Sequence, residues 1–340
     1  MSRDERSDGG GAGQAAPAAG LERRVVLTRL AQAGLVLGGA GILTALGLRS
    51  KGRWSGSGAP VAIPRYDVAG DPSRPVAVIA AGGAIAPMIR AAVDALGGIG
   101  RFVAAGDVVL VKPNMAWDRP PELGANTHPA VVAEVVRLCR EAGAARVIVG
   151  DVAVHDTARV AVRSGIGEAA RAAGAELVLP DEGGFREAAL GGSVLSSWEV
   201  FRPALTATKI INVPVVKDHA LTRLTAGLKN WYGVLGGTRA RLHQDIDTSI
   251  ADLSVAFRPT LTVVDATRVM TKGGPTGGRL EDVRPIGLVA AGTDPVALDA
   301  WGARLLGLDP RTIGYLALAE GRGVGSIAGG DGLETVRAGA

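Results

Sequence analysis

Cysteine is almost absent from this chain of 340 residues, because Cys139 is the only one. One cysteine excludes an intramolecular disulfide, and it also excludes an iron–sulfur cluster ligated by cysteines of this chain. Cys139 lies in an apolar run with helical spacing, residues 131–139. That setting predicts a small core residue rather than a nucleophile. The cofactor, if the protein uses one, is not identified by the sequence.

Aromatic and charged residues are also few, at 4% and 21%, whereas 47% of the chain is hydrophobic and 50 residues are glycine. This composition is globular rather than disordered, and it is typical of helices packed on parallel strands. The body of the chain has no excess of charge of one sign. Residues 60–340 contain 29 basic and 29 acidic side chains. The high calculated pI therefore comes from the N-terminal segment, and a nucleic-acid interface is not expected.

The N-terminal segment is interpreted as a targeting region. Residues 1–20 are rich in Gly and Ala and are predicted to be disordered. Within residues 21–59, Arg23 and Arg24 precede the 19 uncharged residues of 30–48, which resembles a twin-arginine export signal. The alternative is a membrane anchor, since 19 residues suffice to cross a bilayer. We therefore expect the twin-arginine translocation machinery as a partner and a membrane-associated or exported protein, through residues 21–48.

Residues 60–340 alternate between strand-like and helix-like runs, which predicts a single α/β domain with a mostly parallel sheet and helices on both faces. The segment 181–202 is predicted to be a hairpin or a small insertion. The predicted strands are Val76–Ala80, Val108–Lys112, Arg146–Gly150, Glu176–Leu179, Lys209–Val213, Leu261–Asp265 and Ile286–Ala290. The predicted helices are Ile85–Leu96, Pro129–Glu141, Thr157–Ala173, Thr222–Leu235, Ile246–Phe257 and Pro295–Leu306.

Polar residues follow four of the predicted strands. Because the carboxyl ends of parallel strands meet at one edge of a sheet, these residues predict a ligand site at that edge. They are Lys112, Asn114, Asp151, Asn212 and Asp265. The glycine-rich loop 271–278, which contains Gly274, follows Asp265 and offers backbone N–H groups to an anion. Its spacing matches neither a Walker loop nor a dinucleotide fingerprint.

The run 212–233 is the most polar of these strand-end segments. It contains Lys217 and His219, which suit acid–base chemistry, and then Thr225, Lys229 and Asn230, which suit binding of an anion. Neighbouring cations lower the pKa of a lysine, so Lys217 is a candidate base. His243 and Asp245 follow the same predicted helix and are candidate metal ligands. The alternative is that these acidic residues cap the next helix.

These motifs resemble a bacterial and archaeal family called domain of unknown function 362. The resemblance runs from about Val76 to Gly325, and its most specific part is Lys217-Asp-His219 followed by Lys229-Asn230. It implies an α/β fold and the same strand-end site. Many relatives carry a twin-arginine leader, and many carry a ferredoxin-like cysteine cluster that this chain lacks. The resemblance does not supply a reaction.

Three functions are compatible with the sequence. The first is an exported or membrane-tethered enzyme that acts on a small anionic substrate, with Lys217, His219 and Asp265 as catalytic residues. The proposed substrate-binding residues are then Lys112, Asn114, Asp151, Asn212, Thr225, Lys229, Asn230 and Gly274. The second is a redox accessory protein that binds a metal or associates with an iron–sulfur protein. The third is a ligand-binding protein without catalysis.

Overall fold

The computed structural model describes residues 59–338 of the protein. The predicted disordered residues 1–20 and the predicted leader in 21–48 lie outside the described residues. Among residues 59–338, none of the helices combines the length and the apolar composition needed to cross a lipid bilayer.

The described strands form one large sheet and one small sheet. They are β1 (Val61–Ala62), β2 (Ala77–Ala81), β3 (Val108–Pro113), β4 (Arg146–Val149), β5 (Glu176–Leu177), β6 (Phe185–Ala189), β7 (Ser197–Phe201), β8 (Lys209–Val213), β9 (Val215–His219), β10 (Arg223–Thr225), β11 (Leu261–Met270), β12 (Val283–Gly292) and β13 (Glu334–Arg337). All seven predicted strands are present in this list.

The described α-helices are α1 (Ile85–Ala95), α2 (Pro129–Glu141), α3 (Thr157–Arg163), α4 (Ile166–Ala172), α5 (Arg202–Thr206), α6 (Ile246–Ala256), α7 (Pro295–Leu305) and α8 (Gly314–Gly321). Short 3-10 helices span Ile99–Arg101, Pro121–Leu123, Lys229–Val234, Arg239–Asp245, Leu280–Asp282, Pro310–Thr312 and Ala328–Gly330.

The large sheet has the strand order β13-β2-β12-β11-β8-β3-β4-β5, and β9 joins it by pairing with β11 and β10. Its strands run in one direction except β12 and β10, which are antiparallel to their neighbours. The fold is therefore α/β with a mostly parallel sheet, as the sequence predicts. The small sheet, β1-β6-β7, contains the hairpin formed by residues 185–201.

Helices cover both faces of the large sheet, which explains why its strands are apolar on both sides. In β3, Val109 and Val111 point into a core shared with α1 to α4, whereas Leu110 points into a core shared with α6 to α8. This alternation follows from the two-residue period of a strand. Strand β3 pairs in parallel with both β4 and β8, so these three strands end at the same edge of the sheet.

Two helix predictions are wrong. The run Thr222–Leu235 is a strand, β10, followed by a turn and a 3-10 helix, and β10 pairs with β9 in a hairpin. Residues 224–232 are all buried, so burial along this run has no helical period. The run Thr157–Ala173 forms two helices, because Gly165 adopts a left-handed conformation with φ of 71° and interrupts it.

Candidate functional site

A cavity of about 470 Å³ lies beyond the carboxyl ends of β3, β4 and β9. This is the edge at which ligands bind in open α/β sheets. The residues that line it are Asn114, Ala116, Trp117, Asp151, Val152, Val154, Lys217, His219, Thr225, Lys229, Asn230, Tyr232, Gly233, Thr238, Arg239, Ala240, His243 and Pro275. Seven of the residues predicted from sequence to form the site are among them, together with the candidate metal ligand His243.

A buried ion pair joins the ends of β3 and β4 beneath this cavity. Lys112 is fully buried, and its Nζ donates to Asp151 Oδ1 at 2.7 Å and to the carbonyl of Pro113 at 3.0 Å. The backbone N–H of Met115 donates to Asp151 Oδ2 at 2.6 Å. Burial lowers the pKa of Lys112, and Asp151 opposes that shift. The pair therefore fixes the orientation of the two strand ends and leaves Asp151 with both oxygens occupied.

Gly233 closes over this ion pair, and only glycine fits there. A Cβ at this position would overlap Asp151 Oδ1 and would lie 2.7 Å from Lys112 Nζ. The carbonyl of Gly233 also accepts from the N–H of Val152 at 2.8 Å. The close approach of backbone to an ion pair explains the glycine that ends the polar run 212–233.

Three asparagines form a chain of hydrogen bonds with a fixed direction. Asn212 Nδ2 donates to the carbonyl of Gly227 at 3.0 Å, and Asn230 Nδ2 donates to Asn212 Oδ1 at 2.8 Å. Asn114 Nδ2 then donates to Asn230 Oδ1 at 3.1 Å, and Lys217 Nζ donates to Asn114 Oδ1 at 3.1 Å. Each amide oxygen is thus used, and the last one in the chain faces Lys217.

Lys217 lies at the bottom of the cavity with no exposed surface. Besides Asn114, its Nζ donates to the carbonyl of Ala125 and lies 6.0 Å from the centre of the Trp117 ring. Burial, and then the charge of Lys229, lower the pKa of Lys217 from 10.5 to about 7. Lys217 therefore exchanges its proton near neutral pH, which suits a general acid or base.

Lys229 presents a second cation to the cavity. Its Nζ lies 4.4 Å from the centre of the Tyr232 ring, and within residues 59–338 it donates no hydrogen bond. Burial, and then the charge of Arg239, lower the pKa of Lys229 from 10.5 to about 8. A mostly buried ammonium group whose hydrogen bonds are unmade is expected to bind an anion.

His219 is held in one tautomer by the hairpin that carries it. The backbone N–H groups of Leu221 and Thr222 donate to its Nδ1 at 3.1 and 3.3 Å. The hydrogen of the neutral ring is therefore on Nε2. Burial, and then the charges of Lys229 and Lys217, lower the pKa of His219 to about 2. His219 thus offers the cavity a neutral N–H donor.

Asp299 of α7 positions the segment that carries Lys229 and Asn230. It is fully buried, and its two oxygens accept from the backbone N–H groups of Gly227 at 2.6 Å and Leu228 at 3.0 Å. Burial raises the pKa of Asp299 to about 7. A Cβ on Gly227 would lie 2.9 Å from Asp299 Oδ1, so this close approach also requires glycine. The carboxylate captures backbone donors that a helix would otherwise use, which explains why Thr222–Leu235 is not helical.

Several cavity residues are not apparent from the sequence. Arg239 extends along the wall, where its guanidinium donates to the carbonyls of Val152, Ala153 and Tyr232 at 2.6–3.2 Å. Trp117 and Tyr232 supply the aromatic surface. Trp117 lies three residues after Asn114, just beyond the end of β3. That position is the feature of the sequence from which its place in the site could have been predicted.

Some predicted site residues lie outside the cavity. Asp265 is fully buried, and its oxygens accept from the N–H groups of His128 and Thr267, from Thr267 Oγ1 and from Arg268. Lys112 and Asn212 lie beneath the cavity and support Asp151 and Asn230. The N–H of Gly274 donates to Asp218 Oδ2 at 3.0 Å, and its neighbour Pro275 is the loop residue that reaches the cavity.

The two candidate metal ligands are not brought together with other ligands. His243 lines the cavity, and its ring stands edge-on to Tyr232 at 6.0 Å. Asp245 instead caps α6, where its side chain accepts from the N–H of Thr248 at 3.3 Å. In the part of the chain that the structure describes, no three His, Cys, Asp or Glu side chains are grouped as metal ligands would be.

The fold and the cavity define a class of protein: an α/β domain with a donor-rich pocket at the carboxyl edge of its sheet. The sequence model of the family described as "Domain of unknown function (DUF362)" matches residues 109–304. The chain belongs to this family. The matched region contains all the predicted site residues.

The proteins to which the chain is similar include one curated protein and one solved structure. A thylakoid-associated protein of Synechocystis is 32% identical over 255 residues, which is 72% of this chain and 77% of that protein. Among solved structures, the apoprotein of a lactate racemase from Thermoanaerobacterium thermosaccharolyticum is 11% identical with a TM-score of 0.42. That match covers 73% of this chain, and the chain spans 62% of the racemase chain.

Proposed function

We propose that this protein is an enzyme that acts on a small anionic substrate bound in the cavity. The observation that carries the proposal is the pair of buried lysines, Lys217 and Lys229, in a cavity to which residues 59–338 contribute no unpaired carboxylate. Asp151 is the carboxylate that lines the cavity, and Lys112 already pairs with it. An anion that enters is therefore stabilised by the Lys229 ammonium group, and by Lys217 while Lys217 is protonated, in a poorly solvated environment.

The polar groups suit distinct roles in acid–base chemistry. Lys217, with a pKa of about 7, is the general base in its neutral form. His219 donates from Nε2 and stabilises negative charge that develops on the substrate. Lys229 holds the anionic group of the substrate, and Asn114 orients the Lys217 amine through their hydrogen bond. Asp265 does not line the cavity, and it accepts from the N–H groups of His128, at the start of α2, and of Thr267, within β11, so it acts at most indirectly.

We favour an enzyme over a protein that only binds its ligand, because the pKa of Lys217 is lowered. A protein that only retains an anion is best served by a permanently charged donor such as arginine. A lysine with a pKa lowered to about 7 carries its charge only partly at neutral pH, but it exchanges protons readily. Redox chemistry has no comparable observation in its favour within the described residues.

We place the protein at a membrane. The similar Synechocystis protein is called thylakoid-associated, and residues 21–48 of this chain have the composition of a twin-arginine signal or an anchor. Fractionation of cells that express the full chain tests this, with removal of residues 1–48 as the comparison. Recovery of both forms in the soluble cytoplasmic fraction would contradict membrane association and export.

Replacing Lys229 with methionine is expected to weaken binding of the anionic ligand by tenfold or more. The methionine keeps the volume of the side chain but removes a cation whose hydrogen bonds no described residue accepts, and a hydrogen bond to a charged group contributes about 1.5–3 kcal/mol. The ligand is identified by mass spectrometry of small molecules that copurify with the native protein, and its affinity is measured by calorimetry. The matched control is Lys272→Met, because Lys272 is an exposed lysine of the loop 271–278. Equal effects of the two variants would contradict a role for Lys229.

Anion affinity is expected to fall as the pH rises from about 6 to about 9. Lys217 and Lys229 have pKa values of about 7 and about 8, so both are charged at the low end of this range and neutral at the high end. A bound anion favours the charged forms, so binding raises both pKa values and takes up protons. Calorimetry in buffers of different ionisation enthalpy measures that uptake. Affinity that is constant over this range would contradict the proposal.

A further inference from the structure

The floor of the cavity is polar and deeply buried, whereas its mouth is more exposed and largely apolar. Lys217, Thr225 and Asn230 have at most 4% of their surface exposed. Trp117 is half-buried, and Val154 is 56% exposed although it lines the cavity. A ligand that matches this gradient places its polar group inward and its apolar part toward the mouth.

The amide and carboxylate oxygens of the floor each already accept a hydrogen bond. Asn114 Oδ1 accepts from Lys217, Asn230 Oδ1 accepts from Asn114, and Asp151 accepts from Lys112 and Met115. By contrast, Thr225 Oγ1 is buried with no hydrogen-bond partner within the described residues. A buried hydroxyl of this kind is destabilising unless a ligand pairs with it. The inward group of the ligand must therefore be rich in acceptors.

Two aromatic rings line the cavity beside these groups, and each contacts a histidine edge-on. The Trp117 ring is edge-on to His155 with 5.2 Å between ring centres, and the Tyr232 ring is edge-on to His243 at 6.0 Å. Aromatic rings give a flat apolar surface at low entropic cost. With Val152 and Val154, they form walls that suit a planar apolar body.

We infer that the cavity takes a carboxylate or phosphate group carried on a small aromatic or planar apolar body. The acidic group binds Lys229 and Thr225 at the floor, beside Lys217, and the body lies against Trp117 and Tyr232. This inference rests on the proposed function and narrows its substrate class. A volume of about 470 Å³ is in the range of small-molecule sites and accommodates such a ligand.

The test measures how much the acidic head group and the apolar body of the ligand each contribute to its affinity for the full chain. The probes are 3-phenylpropionate and phenyl phosphate, with acetate and inorganic phosphate lacking the body and 3-phenylpropan-1-ol lacking the charge. Calorimetry at pH 6.5 is expected to show that one of the aromatic acids binds about tenfold or more tightly than its counterpart without the ring, and than the alcohol. The tighter of the two acids identifies the head group.

Two variants test the placement of the ligand. Thr225→Val keeps the shape of the side chain and is expected to lower the affinity for the aromatic acid about tenfold. Its matched control is Thr262→Val, because Thr262 Oγ1 is also buried without a partner in the described part of the chain but does not line the cavity. Trp117→Leu is expected to lower the affinity for the aromatic acid and to leave the affinities for acetate and inorganic phosphate unchanged.

The outcomes separate the two levels of the proposal. If acetate or inorganic phosphate binds as tightly as its aromatic counterpart, the inference that the ligand carries an apolar body is contradicted, while the proposed anion site is supported. If the alcohol binds as tightly as the acid, or if no probe binds, the anion site itself is overturned together with the inference. If Thr262→Val weakens binding as much as Thr225→Val, the assignment of Thr225 to the head group is overturned.

Discussion

Replacing Lys217 with methionine is expected to lower turnover by about 10²–10⁴-fold, which is the usual contribution of a general acid or base. The side-chain volume is preserved, so the change removes the titrating amine and its hydrogen bonds to Asn114 and Ala125. Binding is expected to fall less than turnover, because Lys229, Thr225 and His219 remain in the cavity. This difference between turnover and binding distinguishes an enzyme from a binding protein.

The pH profile gives a second, independent measurement of the same role. Wild-type kcat/KM is expected to rise as Lys217 loses its proton near pH 7 and to fall as Lys229 loses its charge near pH 8. Lys217→Met removes the rising limb, and Lys229→Met removes the falling limb. The exposed control Lys272→Met should retain both limbs. A Lys217→Met variant that turns over the ligand at the wild-type rate would contradict the assignment of Lys217 as the base.

Replacing Lys112 with methionine is expected to lower the free energy of unfolding by about 3–5 kcal/mol. Lys112 and Asp151 are both almost fully buried, and Lys112 Nζ lies 2.7 Å from Asp151 Oδ1. Without the lysine, the Asp151 carboxylate stays buried beside Gly233 with only the Met115 N–H to stabilise it. Chemical denaturation of the wild-type and variant chains measures the difference.

Two further variants make this prediction specific. Arg146→Met breaks the pair between Arg146 and Glu176, whose side chains are 55% and 53% exposed, and is expected to cost less than about 1 kcal/mol. The double variant Lys112→Met with Asp151→Leu removes both buried charges and is expected to recover most of the lost stability. If Lys112→Met costs no more than Arg146→Met, the ion pair does not organise the strand ends.

Much of the site was predictable because it lies at strand ends. Runs such as Val108–Pro113 and Lys209–Val213 are short and apolar on both faces, which identifies parallel strands covered by helices. Their carboxyl ends must then meet at one edge. This rule predicts that Asn114, Asp151 and Lys217 lie near one another, and in the structure all three line one cavity.

The rule does not say which strand-end residues face the cavity. The sequence predicts that a strand ends at Asp265, but β11 continues to Met270, so Asp265 lies within the strand. Its oxygens accept from His128, Thr267 and Arg268 instead of facing the cavity. Arg239 is 88 residues beyond Asp151 in the chain and meets the loop after β4 only through the carbonyls of Val152 and Ala153. Contacts between distant segments of this kind leave no periodic pattern in the sequence.

The sequence by itself determined the family, the α/β class, the neutral body and the edge of the sheet at which the cavity lies. These properties follow from composition, from the spacing of apolar residues and from short motifs, all of which are local. Only the tertiary structure decided that Lys217 and Lys229 are buried together and that the hairpin β9–β10 holds His219 as a neutral donor. It also decided that Asp299 anchors the turn before Lys229. Desolvation, steric fit and hydrogen-bond direction depend on neighbours that are distant in the chain, so they arise only when the chain has folded.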